Sequence, residues 1–262
     1  MKPTLTPRQA AALAVTRLRA MADPARAAQV KKYFKETVET YGVSSPDVRA
    51  LAQEIYGRVR DHWTFAEAAA LCDLLFPAPE LETKGVAAVI LARFKKDYPR
   101  SLFGRVKGWL AANHLASWAA VDVFCPEVMG ALILKYPDLA ARVAAWAGHP
   151  NRWVKRAAAV SFLKLAKRPE QLDTIYRVAR SLCGVDDDLI EKANGWLLRE
   201  AGKTDAKRLE RFLLACGPDV PRTTLRYAIE RFPAAKRRVL LVRTRGGRGL
   251  GRRTGPRRER SR

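Results

Sequence analysis

The feature that most constrains this chain is how regularly proline interrupts it. Nearly every segment shows a helical period of about 3.6 residues, and none sustains the alternation of a half-buried strand. Val86, Val89, Ile90 and Phe94, for example, share one helical face. The periods break at short Pro-centred turns: Ser44-Ser45-Pro46-Asp47, Phe76-Pro77-Ala78-Pro79, Tyr98-Pro99, Tyr136-Pro137-Asp138, His149-Pro150-Asn151, Arg168-Pro169-Glu170, Gly217-Pro218 and Phe232-Pro233. Proline has no N–H to continue a helix, yet its fixed φ suits the first turn of the next one. The pattern predicts about a dozen helices with tight connections and hence antiparallel neighbours.

The punctuation also repeats. ARFKKDYPRSLFGRVKGWL resembles LILKYPDLAARVAAWA and then SFLKLAKRPEQLDTIYRVARSL. Each block is an apolar helix, a basic residue, a Pro turn and a second amphipathic helix. Pro99, Pro137 and Pro169 lie 38 and 32 residues apart, a spacing that suits two-helix repeats of the HEAT or armadillo kind. Such repeats stack into a superhelix with a concave side. A compact helical bundle is the alternative.

Charge narrows the partner. The net charge is +23 over 262 residues, which implies a polyanion, either nucleic acid or an anionic membrane. No stretch of about 18 apolar residues offers a transmembrane helix, and the Arg-studded N-terminus reads as an amphipathic helix, not a signal peptide. From Lys236 onward the helical period fades into an Arg/Gly-rich stretch. Residues 236–262 hold twelve Lys/Arg against one acidic residue, and +12 of the charge remains on residues 1–235. The expected division is therefore a helical-repeat domain at 1–235 and a disordered basic tail at 236–262. Cys72, Cys125, Cys183 and Cys216 are far apart, no C-x-x-C occurs, and the three histidines are scattered. Buried free thiols in a reducing cytoplasm are expected, with no metal site.

Three segments carry candidate chemistry. LASWAAVDVFCPEVMGALIL is almost wholly apolar but holds Asp122, with Trp118 one turn before it on the same face. A carboxylate in such surroundings is paired, hydrogen-bonded or functional. HPNRWVKRAAAVSFLKL carries Arg152 and Arg156 one turn apart. Arg156 abuts an Ala-rich face, where it can hold a phosphate or orient Asp122. DDDLIEKANGWLLREAGKTDAKRL places Lys192, Trp196, Arg199 and Lys203 on one stripe, suited to a phosphate backbone with an aromatic contact. Asp186-Asp187-Asp188 read as its helix cap. Each segment has a plainer reading as core or solvated surface. No Gly-rich phosphate loop, G-x-S-x-G or H-E-x-x-H appears, which disfavours nucleotide hydrolases, esterases and zinc proteases.

Four stretches taken in order, YFKETVETYGVSSPDVRAL, SWAAVDVF, WVKRAAAVSF and EKANGWLLREAGKT, resemble the AlkD-type DNA alkylation-repair glycosylases across roughly residues 25–235. The resemblance implies an all-α, right-handed α-α superhelix of HEAT-like two-helix repeats with a basic concave face. It implies a catalytic Asp122 with Trp118 and Trp196 beside it, and Tyr33 and Arg156 on the DNA. Arg152, Lys192, Arg199 and Lys203 complete the expected DNA-binding set. Some members carry a Trp-Trp pair where this chain has Ser117-Trp118-Ala119, but the W-x-x-x-D spacing is intact. The implied activity is hydrolysis of the N-glycosidic bond of cationic N3- or N7-alkylated purines in duplex DNA, without base flipping. The expectation is a cytoplasmic bacterial monomer acting on double-stranded DNA, with no cofactor, metal or membrane partner. The alternative is a non-catalytic HEAT-like scaffold that binds DNA structure or a protein.

Overall fold

The structure is a computed structural model that describes residues 4–245. Among these residues are fourteen α-helices and no named strand: α1 (Pro7–Ala20), α2 (Pro24–Lys31), α3 (Ser45–Val59), α4 (Phe65–Leu75), α5 (Leu81–Arg93), α6 (Leu102–Ala111), α7 (Trp118–Lys135), α8 (Leu139–Ala144), α9 (Arg152–Val160), α10 (Leu172–Leu182), α11 (Asp188–Thr204), α12 (Ala206–Cys216), α13 (Arg222–Ala228) and α14 (Ala234–Arg243). The helix starts follow the local chemistry. Thr6 and Thr64 close capping boxes with Gln9 and Glu67. Ser44, Ser117, Asn151, Asp187 and Asp205 accept from the first free N–H groups of their helices. Pro7 and Pro24 open α1 and α2.

The helices form a helical-repeat solenoid of two layers. In one, α3, α5, α7, α9, α11 and α13 pack side by side, each against the next. The second layer backs this row, with α4 on α5, α6 and α8 on α9, and α10 and α12 on α11. The repeating prolines mark this geometry. Pro99 lies between α5 and α6, Pro137 between α7 and α8, and Pro169 between α9 and α10. Each therefore turns the chain from the row into the second layer. Helix α7 sits mid-row and is apolar on nearly every side, with Val121, Phe124, Val128, Met129 and Leu132 buried. Phe76, Trp109 and Phe124 meet edge to face beneath it, with centroids 5.0–5.9 Å apart. All four cysteines are free and buried. No helix among the described residues is long and apolar enough to cross a membrane.

The first part of the expected tail is helical. Helix α14 spans Ala234–Arg243, so a boundary at 235 falls inside a helix. The run Val239-Leu240-Leu241-Val242 supplies the reason, since Leu240 is fully buried. Arg222 also donates to the Leu241 carbonyl at 3.0 Å, and Lys236 pairs with Glu210 at 2.6 Å. The rest of the expected tail, residues 246–262, lies outside the described residues.

Candidate active-site cleft

The site is built from the start of α7. Ser117 caps the helix by accepting from Ala120 N at 3.1 Å, Trp118 is its first residue, and Asp122 follows one turn later. Pro126 lies four residues beyond Asp122 and has no N–H to offer the Asp122 carbonyl. Arg156 arrives from α9. Its Nε donates to Asp122 Oδ1 at 2.8 Å and its Nη2 to Oδ2 at 2.6 Å. Its Nη1 donates to the Leu189 carbonyl at the start of α11. The Arg156 side chain is 5% exposed and that of Asp122 14%. Burial pushes the Asp122 carboxyl above its ordinary value, and the paired guanidinium opposes that shift without cancelling it. Asp122 is thus held in one orientation, largely dry, with one edge toward open space.

That space is a cleft of about 440 Å³ between α7, α9, α11 and α13. Trp118 and Trp196 both line it, as do Lys192, Arg199 and Tyr227. Tyr227 reaches the cleft because α13 packs very closely on α11 at Gly195. A Cβ at Gly195 would lie 2.4 Å from Tyr227 Cβ and 2.7 Å from the Thr224 carbonyl oxygen. Arg199 is held by Glu230, and Thr224 donates to the Glu191 carbonyl at 2.9 Å.

A strap closes one side. The segment joining α2 to α3 is fixed at its far end by buried Glu82 of α5. That carboxylate accepts from Thr40 Oγ1 at 2.5 Å, Tyr41 N at 3.1 Å and Val43 N at 3.1 Å. Before this anchor, residues 33–36 reach over the cleft. Tyr33 is 79% exposed at its rim. Phe34 stacks on Trp118 with ring centroids 4.9 Å apart and planes 19° apart. Lys35 pairs with Asp188 at 2.9 Å, and Glu36 Oε1 lies 3.5 Å from Trp118 N. The Trp118 indole also borders a second, mostly apolar cavity of about 340 Å³, which Phe34 lines.

Of the residues singled out in the sequence, Tyr33, Trp118, Asp122, Arg156, Lys192, Trp196 and Arg199 come together around this cleft. Arg152 and Lys203 are not among its lining residues. Arg152 pairs with Asp187 at 2.5 Å and Lys203 with Glu200 at 2.5 Å. Arg156 directs three of its five N–H groups at Asp122 and the Leu189 carbonyl, the geometry of the second of its two sequence alternatives. Phe34, Lys35, Glu36, Asp188 and Tyr227 were not identified as site residues. The only sequence hint for the first three is their position directly after Tyr33 in the opening stretch.

No curated protein matches the chain. Among solved structures it is similar to the predicted DNA alkylation repair enzyme from Enterococcus faecalis, at 19% identity and a TM-score of 0.72. That likeness covers 82% of this chain and 98% of the other, and at such identity it speaks for the fold. A family model described as DNA alkylation repair enzyme matches residues 14–232, which takes in the row, the strap and every cleft residue. The chain belongs to the DNA alkylation repair enzyme family.

Proposed function

We propose that this chain is a monofunctional DNA glycosylase that hydrolyses the N-glycosidic bond of cationic N3- or N7-alkylated purines in duplex DNA. The observation that carries the reading is Asp122, gripped on both oxygens by a buried Arg156 beside the cleft that Trp118 and Trp196 line. An alkylated purine already carries a positive charge, so it leaves as a neutral base without a general acid, unlike ordinary glycoside hydrolysis with its two carboxylates. The C1′–N bond breaks, its electron pair stays on the base, and the sugar becomes an oxocarbenium ion. A fixed carboxylate stabilises that cation because its dipoles need no reorganisation during the reaction. Asp122 also orients the water that forms the new C1′–O bond, and the proton which that water sheds passes to solvent, leaving a neutral base and the hydroxyl of an abasic sugar. The two indoles offer ring faces to the cationic nucleotide. In this reading the lesion is met from its sugar and the base is not flipped, as the family resemblance implies.

The test is release of free 7-methylguanine from methylated duplex DNA. Release by the wild-type chain and none by Asp122→Asn supports the glycosylase. Tight duplex binding without release would instead identify a non-catalytic scaffold.

A further inference from the structure

The strap and α11 meet at a single atom. Lys35 Nζ and Lys192 Nζ each lie 2.9 Å from the same oxygen, Oδ2 of Asp188. The two ammoniums come from segments more than 150 residues apart in sequence. They converge at the rim of the cleft, where all three side chains line its wall. The side chains are accessible: Lys35 is 75% exposed, Lys192 37% and Asp188 37%.

Asp188 is not needed to start α11. Asp187 is the cap, accepting from Leu189 N at 3.0 Å and pairing with Arg152 on its other oxygen. What Asp188 does is present one anionic oxygen to two lysines, whose ammoniums hold its carboxyl below the ordinary value. A phosphodiester presents the same thing: one net negative charge on oxygens that accept from ammonium groups. Exposed ion pairs are weak, so an incoming anion of equal charge displaces the carboxylate at little cost. The freed Asp188 stays in the first turn of α11, where the helix dipole favours it.

We infer that Lys35 and Lys192 form a binding site for one backbone phosphate of the duplex, and that Asp188 occupies this site as an internal mimic when no DNA is bound. The assignment rests on the reading of the cleft as a DNA site, but not on its chemistry. Exchange at this point also ties the strap to the DNA, because Lys35 is two residues from Tyr33 and next to Phe34, which backs Trp118. Asp188 therefore lowers affinity for every duplex and returns the strap to its resting contact when the DNA leaves.

The experiment is equilibrium binding of an undamaged duplex across a salt series, with thermal melts to confirm folding. Asp188→Asn removes the competing anion. Its affinity should rise about three- to tenfold, while its salt slope should stay within about 0.9 of the wild type's, because the same phosphate is neutralised in both proteins and only the competitor is gone. Asp186→Asn, an exposed neighbour outside the pair, is the charge-matched control and should change affinity by less than about twofold. Adding Lys35→Gln and Lys192→Gln to Asp188→Asn should abolish the gain. The same two substitutions in the wild-type background should weaken binding and flatten the slope, which tests the site even if Asp188→Asn folds poorly. Equal gains in Asp188→Asn and Asp186→Asn would reduce the effect to general charge and overturn the site, as would weaker binding by a folded Asp188→Asn. No duplex binding by the wild-type chain would overturn both this site and the proposed function. Binding that behaves as described in a protein that excises nothing would leave the site standing and remove only the chemistry.

Discussion

Arg156 and Asp122 are locked oxygen for nitrogen, Nε on Oδ1 and Nη2 on Oδ2, across 34 residues of sequence and one helix interface. The pair decides how substitution of Asp122 should behave. A carboxylate ~4 Å from a developing cation, at an effective dielectric of ~20, contributes roughly 4 kcal/mol. Asp122→Asn removes that attraction and leaves the guanidinium's repulsion in place. The expected outcome is a single-turnover rate lower by on the order of 10³, with affinity for the same duplex changed only a few-fold. A defined 7-methylguanine duplex, with binding measured in parallel, checks it. A mutant that keeps more than about a tenth of the rate would remove Asp122 from the chemistry.

Arg156→Ala should act through Asp122. It strands a buried carboxylate, a loss of about 3–5 kcal/mol of stability for a broken buried pair. Burial already raises the Asp122 carboxyl, and loss of the opposing guanidinium raises it further. The rate needs the ionised form, so it should fall as pH drops through the folded-state value. In Arg156→Ala that fall should begin at higher pH than in wild type. Arg152→Ala, which breaks a pair with Asp187 that is exposed on the arginine side and a contact with the Trp153 ring, should lower the melt less than Arg156→Ala and leave the pH profile in place. An identical acid limb in Arg156→Ala and wild type would contradict the argument.

The stack of Phe34 on Trp118 gives a third expectation. An aromatic pair of this kind contributes about 0.5–1.5 kcal/mol beyond area burial. Without Phe34 the indole can shift into the neighbouring apolar cavity that both residues line. Phe34→Ala should slow excision by roughly tenfold and Phe34→Tyr should preserve it, with both less severe than Asp122→Asn. Trp118→Ala should also cost less than Asp122→Asn, since a ring face offers a cation only about 0.5–2 kcal/mol. Single-turnover rates of the four variants rank these effects. Equal losses in Phe34→Tyr and Phe34→Ala would show that the ring face is not what matters.

Gly195→Ala should be costly for a residue so small. The added methyl would lie 2.4 Å from Tyr227 Cβ and 2.7 Å from the Thr224 carbonyl oxygen, so α13 must move away from α11. Overpacking of this kind costs about 1–3 kcal/mol. Because Tyr227 and Trp196 line the cleft from these two helices, the rate should fall along with the melting temperature. Unchanged stability would mean that the α11–α13 contact is looser than described.

Residues 246–262 carry seven arginines and one glutamate. Truncation after Arg245 keeps α14 with its buried Leu240. It should leave the excision rate intact but flatten the salt dependence of non-specific binding. A slope identical to that of the full chain would mean that the tail does not contact DNA.

The sequence revealed the parts of this site that obey a period. Pro99, Pro137 and Pro169 fix the two-layer repeat because a missing N–H acts locally, whatever surrounds it. Trp118 and Asp122, or Lys192 and Trp196, share a face because a helix places i and i+4 together. Lys203 obeys the same stripe, but it sits eleven residues beyond Lys192, about 16 Å along the axis, and so passes the end of the cleft. The period gives direction, not reach. Phe34, Lys35 and Glu36 lie in an irregular segment with no face to read, and their partners are 82–153 residues away. The grip of Arg156 on Asp122 could be stated only as one of two alternatives, since helix spacing says nothing about which guanidinium meets which carboxylate.

The row has a mechanical consequence. Four walls of the cleft belong to α7, α9, α11 and α13, and each of these touches the next across one interface. The width of the opening is therefore the sum of three small rotations, with no single hinge to set it. Such a stack behaves as a spring. Strain applied at either end is shared, so every interface keeps its packing while the outermost tips travel farthest. On the proposed function, a long rod enters such a stack from the side, past the strap of residues 33–36 at the rim of the cleft. On that same reading, the bow adopted around the rod sets the spacing of the two indoles that line the cleft.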